Sequence, residues 1–207
     1  MTDRRQFAPA VERNREPILR VLKDWLPQQG TVLEVASGSG EHAIYFAPRL
    51  TPLLWQPSNY EQEQIDSVSD WIAHAPADNL LPPLRLDVTE AQWPVEEEAY
   101  ESRPVTAIFN ANMIHISPWA TTAGLMAGAG RILPAGGRLI LYGPFMIDGE
   151  HTADSNREFD HWLKARDAGY GVRDMRDVIT EARKNGLQHL VARPMPANNF
   201  MHLFEMT

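Results

Sequence analysis

One short segment constrains the fold of this 207-residue chain more than any other. Residues 32–42 read VLEVASGSGEH, an apolar stretch with one acid that runs into a glycine-rich turn and a helix start. A strand, a glycine turn and a helix in this order are typical of folds that bind nucleotide-like ligands. We expect this loop to expose backbone N–H groups at the helix N-terminus, where such a ligand can approach the main chain.

Composition limits what the rest of the chain can be. With 43% apolar residues the chain can bury a sizeable core, and its length suits a single domain over 1–207. A net charge of -8 argues against general nucleic-acid binding, because an acidic surface repels phosphates. The absence of cysteine excludes disulfides and thiolate chemistry. Without a secretory signal or an apolar run of about 18 residues, we expect a cytoplasmic protein that does not enter a membrane.

Strand and helix signals alternate through the first two thirds of the chain. Strands are expected at Thr31–Ala36, Pro52–Gln56, Leu84–Val88, Val105–Asn110 and Arg138–Tyr142. Apolar residues at helical spacing lie between them. Such alternation predicts a mostly parallel sheet with helices on both faces. The polar loop 143–156 would then lie at the carboxyl edge of the sheet, where ligands of open α/β folds bind.

The two ends of the chain and one helix start add detail. The first 30 residues are expected to form a helical segment, with Pro17 in the first turn of its helix. Ser117 is expected to cap a later helix that begins with Pro118. Leu187–Arg193 and Phe200–Glu205 predict two final strands. Their short link favours an antiparallel hairpin, because a parallel crossover needs about a dozen residues.

The glycine-rich segment fits two classes of ligand. From Gly38 it matches the dinucleotide pattern G-x-G-x-x-G/A, although an acid inside the preceding strand is unusual for such a site. Read from Glu34, it resembles the first motif of class I S-adenosylmethionine-dependent methyltransferases, an acid followed by x-G-x-G-x-G. Ala36 stands at the first glycine of that motif. The resemblance implies a Rossmann-like, mostly parallel seven-stranded sheet that ends in an antiparallel hairpin.

Several segments resemble one subgroup of that superfamily, an uncharacterised methyltransferase-like family defined as a domain of unknown function in bacteria and animals. These segments are Glu12–Leu19, Trp55–Ser58, Asn112–Trp119, Tyr142–Phe145 and Gly171–Asp174. The resemblance covers nearly the whole chain. It implies S-adenosylmethionine as cofactor, S-adenosylhomocysteine as product and an unidentified small-molecule methyl acceptor.

The resemblance also implies, position by position, which residues contact the cofactor. These are Glu34, Ala36, Ser37, Gly38, Gly40, Asn59, Asp87, Asn110, Asn112 and Met113. Asn59 follows the second strand, where an acid usually accepts the ribose hydroxyls, and Glu61 is the alternative. An uncharged amide bonds more weakly than a carboxylate, so we expect Asn59→Asp to tighten cofactor binding. Asp87 would accept the adenine amino group, or else be a strand-end turn residue.

Candidate residues for catalysis and for substrate binding are fewer. His115 is the best general base, because its reference pKa lies near neutrality; the alternative is a capping or core histidine. His42 is expected to be structural, and the spacing of the remaining histidines predicts no metal site. Substrate contacts are predicted for Arg13, Asn14, Tyr142, Asn156, Asp160 and Arg173. The alternatives are a solvated helix start for the first two, helix capping by Asn156 and a surface ion pair for Arg173.

Two other functions stay open beside the methyltransferase. A nicotinamide-dependent reductase is disfavoured because no tyrosine is followed by lysine at the fourth position after it. A catalytically silent module of the same fold, which binds the cofactor or a protein partner, is the second alternative. Ala36 and the amide at Asn59 both favour it mildly.

Overall fold

The protein is described by a computed structural model covering residues 3–100 and 102–207. The first two residues of the expected N-terminal segment therefore lie outside the described residues. Within those residues, no helix has both the length and the apolar character needed to cross a membrane. The chain folds into two compact units, and the single domain predicted above stays a prediction.

The first unit extends through Asp87 and includes Gln92–Asn110. Its helices and strands alternate along the sequence as predicted. They are α1 (Pro9–Trp25), β1 (Thr31–Val35), α2 (Glu41–Phe46), β2 (Leu54–Asn59), α3 (Gln62–His74), β3 (Leu84–Arg85) and β4 (Val105–Ala111).

The centre of this unit is β1, which pairs in parallel with β2 on one side and β4 on the other. Every residue of β1 is buried. A central parallel strand is covered on both faces, which explains its nearly continuous apolar sequence. Glu34 interrupts that sequence, and it lies opposite Pro57 of β2 and Phe109 of β4. The one acid of β1 is therefore in the interior of the sheet.

The first helix begins earlier than its proline predicted. Its first residue is Pro9, and Pro17 lies inside the helix rather than in the first turn. The expected stripe is buried, and Val11 extends it towards the N-terminus, seven residues before Ile18. Burial of an apolar stripe along the whole helix stabilises it by more than the loss of one backbone hydrogen bond at Pro17 destabilises it.

The second unit comprises Val88–Ala91 and Ala111–Thr207. Helices alternate with strands in the earlier part of this unit, and a β-hairpin ends it. They are α4 (Trp119–Ile132), β5 (Arg138–Gly143), β6 (Met146–Ile147), β7 (Glu150–His151), α5 (Asp154–Arg166), α6 (Met175–Lys184), β8 (Leu187–Met195) and β9 (Asn199–Met206).

The sheet confirms the predicted fold class. Its seven strands have the order β3-β2-β1-β4-β5-β9-β8. β9 runs antiparallel to both β5 and β8, which confirms the predicted C-terminal hairpin. A mostly parallel sheet with one antiparallel hairpin at its end is the fold of class I methyltransferases.

Several local predictions were wrong. The second strand begins two residues later than Pro52 and ends at Asn59, and the third contains only Leu84 and Arg85. The polar loop 143–156 contains the small hairpin β6–β7. Ser117 does not cap α4, because its hydroxyl donates instead to the Met113 carbonyl at 2.7 Å. The cap position is Pro118.

Candidate cofactor-binding site

The glycine loop, residues 36–41, joins β1 to α2 and contains three residues with positive φ. Gly38 has φ 57° and Gly40 has φ 95°, a region that glycine enters without steric cost. Ala36 has φ 58°, which is unfavourable for a residue with a Cβ. A Cβ at Gly40 would lie 3.0 Å from Val68, so the loop approaches α3 closely there. At Gly38, by contrast, a Cβ would meet no atom within 4 Å.

Glu34 lies beneath this loop and is almost completely buried. Its carboxyl group accepts hydrogen bonds from the Trp55 indole N–H and from the Ser37 hydroxyl, both at 2.9 Å. Burial raises the pKa of Glu34 to about 7, and these two donors only partly offset it. The carboxyl group is therefore poised to change charge near neutral pH.

The backbone N–H groups of the loop are largely engaged within the protein. Ser37 N–H donates to the Ser58 carbonyl at 2.9 Å, and Gly38 N–H donates to the Asn59 side-chain oxygen at 2.8 Å. Gly40 N–H donates to the Ser37 carbonyl at 3.1 Å. β2 and the turn itself therefore satisfy these three N–H groups, whereas exposure of the N–H groups at the start of α2 stays a prediction.

Asn59 holds the loop through both functions of its amide. Its oxygen accepts from Gly38 N–H, and its Nδ2 donates to the Gly38 carbonyl at 3.2 Å. The side chain is 1% exposed. A carboxylate at this position would lose the donor to the carbonyl. From this lost bond we expect Asn59→Asp to weaken cofactor binding rather than to tighten it, and a ribose contact by Asn59 or by the exposed Glu61 stays a prediction.

The extended segment before α1 is connected to the same loop. Ala8 N–H donates to the Glu41 carboxylate at 2.6 Å, and that oxygen also accepts from the Ser39 hydroxyl at 2.9 Å. Gln6 N–H donates to the buried Ser67 hydroxyl at 2.8 Å, which in turn donates to the Ser39 carbonyl at 2.7 Å. Two short chains of hydrogen bonds therefore join residues 6–8 to Ser39.

Asn110 brings an unpaired polar atom to the first unit. It is fully buried at the end of β4, and its Nδ2 donates to the Val35 carbonyl at 2.8 Å. Its side-chain oxygen has no hydrogen-bond partner in the part of the chain that the structure describes. A buried amide normally satisfies both functions, so this oxygen retains capacity for a ligand. Asp87 is half-buried and is bonded within the protein.

In the second unit, His115 lies in a 3-10 turn, Met113–His115, that begins at Asn112. The His115 side chain is fully buried. Its Nδ1 accepts a hydrogen bond from Arg173 N–H at 3.2 Å, whereas Nε2 has no partner among residues 3–100 and 102–207. Burial lowers the pKa of His115 to about 3, and the Arg173 charge lowers it further. The ring is therefore neutral near pH 7.

Arg173 is not the surface ion pair considered above. The side chain is half-buried, and its guanidinium donates to main-chain carbonyls. Nε donates to Ile114 at 2.8 Å, and Nη2 donates to Ser117 at 2.6 Å and Gly169 at 2.8 Å. None of the ion pairs within the described ranges includes Arg173, although Asp160 acts on it electrostatically and its guanidinium lies 5.7 Å from the centre of the Trp119 ring. Its positive charge is therefore not paired directly with a carboxylate.

The remaining predicted substrate residues in this unit bond within the protein. Asn156 is not a helix cap; it lies inside α5 and donates to the Thr152 hydroxyl and the Asn198 carbonyl. Asp160 accepts from Val172 N–H at 2.8 Å and from Lys164 at 2.7 Å. Tyr142 is buried within β5. Substrate contacts by these residues stay a prediction.

The two predicted substrate residues of α1 differ from each other. Arg13 is exposed, whereas the Asn14 side-chain oxygen lies 2.9 Å from His42 Nε2. His42 is buried and stacks on Phe46 at 5.0 Å, as expected for a structural histidine. Burial lowers the pKa of His42 to about 4. Asn14 therefore has a structural partner, and only Arg13 presents its side chain to solvent.

Sequence reasoning missed His202 and Phe145, which form the His115 cluster with His115. The Phe145 ring lies 4.8 Å from the His115 ring and 4.5 Å from the His202 ring. His202 is buried, with a pKa lowered by burial to about 3 and an Nε2 that has no described partner. No local signal marks this cluster, because its three residues belong to three separate segments. Among the described residues, no three metal-ligating side chains lie close enough together to hold a metal ion.

One family covers nearly the whole chain. The family described as "Protein of unknown function (DUF938)" matches residues 5–206. The chain belongs to the DUF938 family. This agrees with the uncharacterised methyltransferase-like family that the sequence segments resemble.

Solved structures share the fold of this DUF938 protein at low sequence identity. An O-methyltransferase family protein from Burkholderia thailandensis has a TM-score of 0.75 and 14% identity, over 96% of this chain and 57% of its own. CalO1, a methyltransferase in calicheamicin biosynthesis solved with S-adenosylhomocysteine bound, has a TM-score of 0.70 and 14% identity, over 94% and 54%. The DUF938 chain thus spans little more than half the length of these two proteins.

A third structure matches in length as well. A candidate sarcosine dimethylglycine methyltransferase from Galdieria sulphuraria has a TM-score of 0.73 and 14% identity, over 99% of this chain and 92% of its own. These similarities establish the class I methyltransferase fold of the DUF938 protein. At such identities they do not extend to substrate.

Proposed function

We propose that this DUF938 protein is an S-adenosylmethionine-dependent methyltransferase with a small-molecule acceptor. The main support for the proposal comes from the glycine loop. An acid of β1 lies buried beneath this loop, and the loop has open space at Gly38. The fold is shared with methyltransferases, one of which was solved with S-adenosylhomocysteine. Structural relatives named for sarcosine dimethylglycine and for calicheamicin biosynthesis support a small-molecule acceptor.

The residues of the first unit fit this cofactor. Gly38 leaves room above the loop, and the unpaired oxygen of Asn110 can accept a hydrogen bond from the cofactor. Glu34 favours its charged form when a cation lies nearby, and the cofactor carries an ammonium group and a sulfonium group. We propose that these three residues, with Ala36, Ser37 and Gly40, hold the methionine end. The bound cofactor would supply an activated methyl group.

The same loop argues against a dinucleotide cofactor. A pyrophosphate needs free N–H groups at a helix N-terminus. Here Ser37, Gly38 and Gly40 donate their N–H groups to protein oxygens. S-adenosylmethionine carries no phosphate and does not need these three N–H groups. We therefore propose a methyl donor rather than a nicotinamide cofactor.

Calorimetric titration of the full chain with S-adenosylhomocysteine tests the proposal, with NADH as the competing ligand. We expect binding of the first and none of the second. Asn110→Leu should weaken S-adenosylhomocysteine binding about tenfold, because it removes the unpaired acceptor. Asn79→Leu is the matched control, since Asn79 is also buried and its side-chain amide donates to the carbonyls of Ala47 and Leu53.

The outcomes separate the alternatives. Binding of NADH alone would overturn the proposal in favour of a reductase. Binding of neither ligand would favour a silent interaction module of the same fold. Equal weakening by Asn110→Leu and Asn79→Leu would show that the Asn110 effect is one of stability and not of contact.

A further inference from the structure

The protonation state of His115 follows from one hydrogen bond. Its Nδ1 accepts from a backbone N–H, and a backbone N–H can only donate. A hydrogen bond with the Gly171 backbone raises the pKa of the ring, but the geometry at Nδ1 is that of an acceptor for Arg173 N–H, so the proton of the neutral ring is on Nε2. Nε2 is buried and has no acceptor in the described part of the chain. A buried donor without an acceptor is costly, so such groups are rare in folded proteins.

The main chain of β5 packs closely against this N–H at a glycine. A Cβ added at Gly143 would lie 2.5 Å from His115 Nε2 and 3.1 Å from the Asn112 side-chain oxygen. Both side chains therefore converge on the same point of β5. Any residue other than glycine would displace them.

The charge near the ring favours an anion. Arg173 acts on His115 electrostatically, and its guanidinium bonds only to carbonyl oxygens. The opposing carboxylate of Asp160 is itself paired with Lys164 at 2.7 Å. A ligand oxygen at His115 therefore experiences a net positive field, which stabilises a carboxylate or phenolate more than a neutral oxygen.

We propose that His115 Nε2–H donates a hydrogen bond to an anionic oxygen, a carboxylate or a phenolate, of a bound ligand. The further statement that this ligand is the methyl acceptor rests on the proposed function. His115 is then a binding donor and not the general base predicted from sequence, because its lone pair is bonded to Arg173 N–H.

This role fits methyl transfer to oxygen. An oxygen anion forms a bond to the methyl carbon, the carbon–sulfur bond breaks, and its electron pair returns to sulfur. The sulfonium becomes a neutral thioether, and no proton leaves the acceptor in this step. An acceptor bound as an anion therefore needs no base from the protein.

Nitrogen NMR tests the tautomer directly on the unaltered protein. In the full chain labelled with ¹⁵N-histidine, two-bond and three-bond correlations distinguish Nε2–H from Nδ1–H, and His115→Gln assigns the signal. We expect the Nε2–H tautomer for His115 at about pH 7. The Nδ1–H tautomer or a doubly protonated ring would overturn the inference without any need for a ligand.

Binding of benzoate, compared with neutral benzamide, tests the ligand class. We expect benzoate to bind more tightly, and His115→Phe to weaken it about 10- to 100-fold. His115→Gln should restore part of the affinity, because its amide also carries an N–H. His202→Phe is the matched control, since His202 is also buried, contacts Phe145 and has an Nε2 without a described partner. Equal losses from both phenylalanine variants, or equal affinity for benzoate and benzamide, would contradict the proposal.

The S-adenosylhomocysteine titration separates this inference from the proposed function. If benzoate binding depends on His115 while S-adenosylhomocysteine does not bind, the anion site is supported and the methyltransferase proposal fails. If S-adenosylhomocysteine binds but the His115 tautomer is Nδ1–H, the methyltransferase proposal survives and the anion site fails.

Discussion

Glu34 in the first unit and His115 in the second are both buried titratable side chains, yet their hydrogen bonding differs. The Glu34 carboxyl group accepts from two side chains, whereas His115 keeps one ring nitrogen without a described partner. A satisfied group fixes the loop around it, and an unsatisfied one retains bonding capacity for a ligand. We therefore expect the glycine loop to be formed before binding, and His115 to gain its bond on binding.

The two residues also respond to pH in opposite directions. The folded pKa of Glu34 is raised from 4.5 to about 7, so its stabilising contribution is complete below about 4.5 and is lost as pH rises through 7. The folded pKa of His115 is lowered from 6.5 to about 3, so its contribution is present above 6.5 and is lost as pH falls toward 3. Both responses to pH can be measured.

Acidification should cause the largest loss in the free energy of unfolding, through His115 and His202. Between about pH 6.5 and pH 4 the unfolded chain binds protons that these two buried rings do not, since burial lowers both pKa values to about 3, and buried His42, with a pKa of about 4, adds to the same loss. We expect the free energy of unfolding to fall by about 1 kcal/mol per pH unit for each ring. Chemical denaturation at about pH 7 and about pH 4 measures this loss.

Replacement of either ring by phenylalanine should make the pH dependence shallower. His74→Gln is the control, because His74 is exposed and should leave the dependence unchanged. If His115→Phe and His202→Phe unfold with the same pH dependence as the parent protein, the two rings are not the source of the acid sensitivity.

Loss of the Asn59 amide should cause the second-largest loss in the free energy of unfolding. Asn59→Leu leaves both Gly38 main-chain groups without their partner, which should lower the free energy of unfolding by about 1–3 kcal/mol. Asn59→Asp keeps the acceptor for Gly38 N–H and loses only the donor, so its loss should be smaller. Urea denaturation of both variants ranks them, and S-adenosylhomocysteine titration should show weaker binding for each.

A tighter complex for Asn59→Asp would contradict this order. It would mean that a carboxylate at the end of β2 gains more from the ribose hydroxyls than the loop loses at Gly38. The glycine loop would then be adaptable, and the contrast with His115 would disappear.

Cofactor affinity should depend on pH through Glu34. Below about pH 7 the carboxyl group is largely protonated, so placing the ligand's ammonium group beside it must release that proton. We expect S-adenosylhomocysteine affinity to fall by at most about tenfold per pH unit below 7, and to level off above it. Titrations in two buffers of different ionisation heat also report the released proton.

Glu34→Gln provides the control for this titration. The amide keeps the size of the side chain and cannot titrate, so affinity should be nearly independent of pH over the same range. A variant that retains the full pH dependence would assign the effect to the ligand or to another group.

Of these substitutions, Ala36→Gly should change the stability of the protein least. Ala36 has φ 58°, and relief of this strain exceeds the entropic cost of glycine by less than about 1 kcal/mol. We expect a small rise in the melting temperature. Ala43→Gly is the matched control, because Ala43 lies inside α2 and glycine there should destabilise by about 1 kcal/mol. A destabilising Ala36→Gly would show that the loop at this point is not strained.

Sequence patterns predicted the sheet better than the details of its helices. The alternating apolar segments and the short link before Phe200 were sufficient for seven strands and the closing hairpin. The start of α1 was missed because Pro17 was taken as a helix-start signal, although the buried stripe continues back to Val11. The hairpin β6–β7 was missed because two residues per strand carry no periodicity.

The site was predictable only where its residues adjoin one another in the sequence. The glycine loop could be located from its own letters, but the bond from Asn59 to Gly38 spans 21 positions. The partner of His115 Nδ1 lies 58 positions away, and that partner decides which nitrogen carries the proton. A reference pKa near neutrality predicted a base. Burial and one backbone N–H are the reasons why we propose a donor role for the same ring.

The connection between residues 6–8 and Ser39 has a practical consequence for protein production. Ala8 N–H bonds to Glu41, 33 positions later, and Gln6 N–H reaches Ser39 through Ser67. An affinity tag or cleavage scar that pulls this segment away would therefore loosen the glycine loop. Ligand screens should include protein without an N-terminal fusion, because a fused sample can report weak binding that belongs to the tag.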